Sequence, residues 1–227
     1  MNAVLNTISN EPVANTLGHV GLQYANKEDG PLAARLLEML GYRKLIELPF
    51  PNGNFYEFVV DQNTPLIGDG IVYLGRASDQ QLALRKAIHE SLHLGQSNEH
   101  PAVAAFRAAQ LSDPEVTFHV GVLMQSLEQL EQACLRVIDA ENNDPAFKGR
   151  IKFICNRSRR GDPKVDARMD ASPIFGKTPR ETYGRNGCQA FIVTDLISTG
   201  LLGEDIGIEL DYVFPGYPEH LLNKVEV

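Results

Sequence analysis

The stretch "IHESLH", residues 88–93, sets His89, Glu90 and His93 in a His-Glu-x-x-His spacing. On a helix, imidazoles four residues apart share one side and can bind zinc, with the carboxylate between them as the base that activates water. The surrounding residues do not extend that pattern. The longer zincin motif needs Gly three residues after the second His and another His three beyond it, whereas Gly95 and His100 follow His93 by two and seven. Leu84, Ile88 and Leu92 recur four apart and read as the apolar stripe of the same helix, which leaves both His about 100° round on its polar shoulder. The motif therefore reads as a solvated helix face rather than a metallopeptidase centre.

Stepping along the chain, the sequence repeats itself. "LGHVGL" at 17–22 and "TFHVGV" at 117–122 are β-prone runs with one His each. An amphipathic helix follows each run, marked by Leu32, Leu36, Leu37 and Leu40 in the first case and by Leu127, Leu130, Cys134 and Val137 in the second. After the first helix come "KLIELPF", "NFYEFVVD" and "GIVYLG"; after the second come "RIKFICN", "QAFIVTD" and "DIGIELDYVF". Pro, Asn and Gly punctuate these runs, so both halves read β-α-β-β-β. Between them, "SDQQLALRKAIHESLHLG" and "HPAVAAFRAAQLSDP" read as two helices, capped by Ser78 or Asp79, stopped near Gly95 and restarted near Pro101. The expected class is α+β: an N-terminal extension (1–16), a first module (17–77), a helical linker (78–114), a second module (115–214) and a tail (215–227). The second module carries an insertion at 157–187, rich in Gly, Pro, Arg and Asp, which reads as a lid because long stretches without periodicity are more often functional than passive.

The paired "HVGL" and "HVGV" strands and the terminal "GIELDYVF" resemble the vicinal oxygen chelate superfamily, which includes glyoxalase I, extradiol dioxygenases, methylmalonyl-CoA epimerase and the fosfomycin and bleomycin resistance proteins. The resemblance spans about residues 17–214, apart from the linker and the insertion. It implies two paired modules forming a curved mixed sheet around a metal cleft, with ligands on the first and last strands of the modules. Carried over, those positions are His19, His119 and Glu209. Superposing "GIVYL" on "GIELD" puts Val72 at the corresponding place in the first half. Two His and one carboxylate form a facial triad that leaves three positions of an octahedral metal for substrate, dioxygen or water.

By that resemblance the function is metal-dependent and of the extradiol ring-cleavage type, with Fe(II) first among divalent metals and Mn, Zn, Ni and Co as alternatives. A glyoxalase- or epimerase-like lyase or isomerase is the nearest rival, with Glu57 moving the proton. A metal-free resistance-type binding protein is the rival from another class. The cationic insertion suggests a small anionic aromatic substrate gripped by Arg168, Arg180 and Arg185. Tyr183 is the candidate acid/base ahead of Tyr212, since alternation puts Tyr212 on the opposite strand face from Glu209, and His220 is a candidate proton shuttle near neutral pH.

Composition limits the remainder. A charge of −8 over 227 residues argues against nucleic acid as a partner, because phosphate neutralisation needs surplus Lys and Arg. Cys134, Cys155 and Cys188 form no CxxC pair and read as reduced core residues. No apolar run reaches membrane-spanning length and the first residues lack a signal-peptide pattern, so a cytoplasmic protein with no membrane partner is expected. A homodimer is left open.

Overall fold

A computed structural model describes residues 17–60, 70–182, 184–198 and 205–216 of the chain. Among these residues it is an α+β structure with two four-stranded mixed sheets and five α-helices. The first half runs β1 (His19–Tyr24), α1 (Asp29–Met39), β2 (Arg43–Leu48), β3 (Phe55–Val59) and β4 (Ile71–Arg76). Two connecting helices follow, α2 (Asp79–Ser91) and α3 (Pro101–Ser112), then a 3-10 turn at Pro114–Val116. The second half runs β5 (His119–Leu123), α4 (Leu127–Asn143), β6 (Ile151–Asn156), α5 (Pro163–Asp170), β7 (Gly187–Ser198) and β8 (Asp205–Val213). The sheets have the same order, β1-β4-β3-β2 and β5-β8-β7-β6, and in each the first strand pairs in parallel with the last.

Alternation along the strands sorts each sheet into two faces. In the first, Leu22, Tyr24, Tyr56, Phe58, Val72 and Leu74 are buried on the side of α1, against its Ala33, Leu36 and Leu37. In the second, Ile206, Ile208, Leu210, Ala190 and Ile192 are buried on the side of α4, whose Leu130, Cys134 and Val137 recur at helical spacing. Ser126 caps α4, its hydroxyl accepting from the Gln129 N–H. These helical faces are the ones the apolar periodicity predicts. Most of the buried apolar residues join one continuous core cluster.

Three arginines tie the halves together. Arg150 donates through Nε to both oxygens of Asp195 at 2.7 and 2.8 Å, and through Nη2 to Asp29 at 3.0 Å. Asp29 opens α1, is only 6% exposed and also accepts from Asn26. Arg35 reaches Asp144, and Arg136 donates to the Met39 carbonyl.

Two expectations change here. The helix bearing His89 and Glu90 does not bury the Leu84 stripe: Leu84 is 49% exposed, and Arg85 instead turns inward at 5% exposure to bond the hydroxyl and carbonyl of Ser198. The α-helix ends at Ser91 and His93 takes a left-handed φ of 52°, so His89 and His93 do not sit on successive turns of one helix. The insertion, read above as a lid without periodicity, contains α5 and buries Met169 and Phe175 completely. It is anchored by a bridge between Arg157 and Glu181 and by Ser172 donating to Glu131 on α4.

Replacing Arg150 by Ala leaves the buried Asp29 without its cation. The expected cost is about 1–3 kcal/mol, read as a lower urea midpoint with an unchanged m-value.

Candidate functional site

The parallel register of β5 and β8 sets His119 opposite Gly207 and Gly121 opposite Glu209. Each functional side chain therefore faces a glycine, and the two meet diagonally across the space so vacated. A Cβ on Gly207 would lie 3.2 Å from the His119 Cβ, and one on Gly121 would lie 3.4 Å from Glu209 Oε2 and 3.5 Å from Asp211 Oδ2. His119 Nε2 comes within 3.1 Å of Glu209 Oε2. The other ring nitrogen, Nδ1, is 2.8 Å from the Thr117 carbonyl, which it can reach only as a donor.

From this pair a chain of contacts runs across the face of the second sheet opposite α4. Gln189 on β7 donates to Glu209 Oε1 at 2.6 Å and accepts a long bond, 3.4 Å, from Asn156 on β6. Arg180 of the insertion donates to Asn156 Oδ1 at 2.8 Å and to the Ser112 carbonyl at the end of α3 at 2.7 Å. Glu209, Gln189 and Asn156 are each 5% exposed. The linker covers part of this face: Gln110 of α3 bonds the Asp205 carbonyl, and Glu115 of the 3-10 turn bonds Gln189.

Charge is unbalanced here. Asp211 lies on the same face as Glu209 and hydrogen-bonds to it, with Glu115 close to both. Asp211 Oδ1 and Glu115 Oε1 are buried with no hydrogen-bond partner. Burial first, and then the Glu209 and Glu115 carboxylates, push Asp211 up to about 8. Burial likewise raises Glu115. The hydrogen bond to Glu209 raises His119 as well, up to about 9, which for a base favours the charged imidazolium. One imidazolium thus faces three acidic side chains.

The residues singled out by sequence are distributed as follows. His119 and Glu209 are brought together. His19 lies on β1 of the other sheet, exposed, with its ring 5.2 Å from that of Tyr73. Glu57 pairs with Tyr73 across β3 and β4, so His19, Tyr73 and Glu57 share the helix-free face of the first sheet. Gly21 pairs with Tyr73 as Gly121 pairs with Glu209, so Tyr73 holds the position equivalent to Glu209. Val72, the equivalent expected from superposing the two sequence runs, points instead into the core beneath α1 at 3% exposure. Among the described residues, no three His, Cys, Asp or Glu side chains form a group that could hold a metal ion.

Of Arg168, Arg180 and Arg185, Arg180 joins the polar chain of the second sheet. Arg168 is held by Glu128 and by both oxygens of Glu131 on α4, at 2.8–3.0 Å, which commits it to the helical side. The Arg185 guanidinium lies against Gly161 within the insertion. Tyr183 and His220 lie outside the described residues. Tyr212 is half-buried among Glu128, Cys188 and Arg168, on the α4 side as alternation predicts. Sequence reasoning passed over Asp211, Gln189 and Glu115. Asp211 was findable, two residues past Glu209 and hence on the same face; Gln189 stood out as the polar residue in "CQAFIV".

No family model and no curated protein matches the chain. Among solved structures, a xylose isomerase-like TIM barrel/4-hydroxyphenylpyruvate dioxygenase fusion protein aligns over 90% of this chain and 27% of its own length, at 10% identity and a TM-score of 0.20. No helix among the described residues is long and apolar enough to cross a membrane.

The His119–Glu209 pair predicts a pH signature in chelator-treated protein. His119 is raised when folded, so the stabilisation is complete below its ordinary value near 6.5 and is lost as pH rises through about 9. The Tm advantage of the wild type over Glu209→Gln should therefore be largest near pH 6 and shrink towards pH 10. A constant difference would mean that no ion pair forms.

Proposed function

We propose that the protein is a metal-dependent enzyme of the vicinal oxygen chelate type, in which His119 and Glu209 would supply two donors to a divalent cation, with His19, which the structure leaves on β1 of the other sheet, as the third donor that the family resemblance implies. The observation that carries this reading is the diagonal contact of 3.1 Å between His119 Nε2 and Glu209 Oε2 on adjacent strands. Donors about 2.0–2.2 Å from one cation can lie roughly 3 Å apart, so the two atoms are close enough that both could reach the same ion. Donor chemistry also fits, because a cation would favour the ionised forms of Asp211 and Glu115, which burial and the neighbouring carboxylates otherwise hold back. With a metal bound, His119 gives up the proton it shares with Glu209.

A cation held by these residues would supply Lewis-acid polarisation of a substrate oxygen, and Fe(II) would additionally permit reaction with dioxygen. The protein's own groups do the positioning. Gln189 holds Glu209 Oε1 and so leaves Oε2 directed at the imidazole. The Thr117 carbonyl keeps Nδ1 protonated and Nε2 as the ligand atom, the usual arrangement for a metal-binding His. Phe191, fully buried and edge-on to the imidazole at 6.0 Å, excludes water from the flank of the pair. Arg180 is the best-placed of the cations to bias the site towards an anionic aromatic substrate.

Extradiol-type oxygenation is the leading reading. The carboxylates clustered at the pair favour one alternative, a metal-dependent lyase or isomerase, for which Asp211 is a proton-transfer group beside the metal. A requirement for dioxygen separates the two.

Metal content of protein purified without oxygen tests the proposal directly. His119→Ala and Glu209→Ala should each lower occupancy at least tenfold, His19→Ala should weaken it, and Glu90→Gln should change neither occupancy nor activity. Full occupancy in both His119→Ala and Glu209→Ala would place the metal elsewhere.

A further inference from the structure

The outer strand of the first sheet, β2, carries its apolar side chains towards solvent. Leu45, Ile46 and Leu48 are 39%, 40% and 47% exposed, and Phe50 just beyond is 55% exposed. An edge strand also leaves a row of backbone N–H and C=O groups unpaired on its outer side, and natural edges are usually protected by Lys or by a bulge. This strand has both, Lys44 and a register slip against β3 between Lys44 and Ile46.

The slip changes which residues share a face. Lys44 pairs with Phe58 and Glu47 with Tyr56, so both project on the α1 side, with Lys44 Nζ 2.9 Å from Glu47 Oε2. Arg43 pairs with Val59 and Leu48 with Phe55, so both project on the opposite side. In a strand without a bulge, residues three or five apart would point to opposite faces. Here 44 matches 47 and 43 matches 48, and the order of side chains is basic, basic, apolar, apolar, acidic, apolar.

We propose that β2 is a self-association edge that pairs antiparallel with β2 of a second copy of this chain, about a two-fold axis between Leu45 and Ile46. Residues directly opposite in an antiparallel pair must project on one face. A two-fold axis normal to the sheet keeps the helical sides of both copies together. Those two conditions forbid a 44-to-47 pairing for a regular strand and allow it for this bulged one. Lys44 of each copy then stands opposite Glu47 of the other, twice by symmetry, while Leu45 meets Ile46 at the centre and Arg43 meets Leu48. Lys44 and the bulge, protective features on another edge, here specify one register. No residue of β2 belongs to the His119–Glu209 site, so this inference stands or falls apart from the metal reading.

Sedimentation of the full chain tests it, with circular dichroism to verify folding. The wild type should be a dimer. Lys44→Glu and Glu47→Lys each set like charges opposite one another at two places and should weaken association by roughly tenfold or more. Mixing the two single variants one to one should restore the dimer, because unlike charges then face each other at both positions. Leu45→Lys at the exposed centre gives an independent disruption should either charge variant fold poorly. A wild type that stays monomeric, single variants that stay dimeric, or a mixture that stays monomeric would each overturn the proposal.

Discussion

In each half of the chain the first strand hydrogen-bonds in parallel to the last, and no tight turn can make such a pair. Everything between the two strands, a helix and two further strands, has to be laid down before the contact closes. In the second half this brings His119 and Glu209, 90 positions apart, to adjacent strands. Register then decides which side chains meet. Glycines at 121 and 207 stand opposite the functional residues, so an imidazole and a carboxylate occupy one diagonal without competing for the same space.

Burying Glu209 would be costly without partners, since an isolated carboxylate loses several kcal/mol of hydration in a protein interior. His119 and Gln189 take one oxygen each. The rest of the polar chain, through Asn156 to Arg180, links the sheet to the insertion and to the end of α3. The insertion and the linker therefore act as structural walls of the second sheet. Their inward-turned side chains, Arg85, Gln110 and Arg180, are polar, so apolar periodicity does not announce them. On the edge strand of the first sheet, by contrast, Ile46 and Leu48 are exposed.

What could be read in advance divides along physical lines. Helical and strand periodicity are local, and they located α1, α4 and both sets of strands; His119 and Glu209 are singled out by the family resemblance carried onto those strands. Register is not local. Aligning "GIVYL" with "GIELD" by letter put Val72 at the place that hydrogen bonding gives to Tyr73, an error of one residue that turns a side chain to the other face. The α2 stripe misled for a related reason: Leu84, Ile88 and Leu92 have helical spacing, but Arg85 finds a buried partner in Ser198 that no local pattern can show. The insertion looked aperiodic because α5 is short, and its anchors, Met169 and Phe175, are separated by a turn. Arg168 offered a charge whose partners, Glu128 and Glu131, lie roughly 40 residues away in sequence.

Tyr73 and Glu209 occupy the same perch in two copies of one architecture. In a doubled scaffold one copy can carry a demanding feature that the other lacks, and here the halves differ: a crowded acid in one, a tyrosine ring tilted against a histidine in the other. One face is therefore shaped by the packing of carboxylates around an imidazole and the other by ring contacts, so a substitution at Tyr73 and one at Glu209 disturb different kinds of interaction.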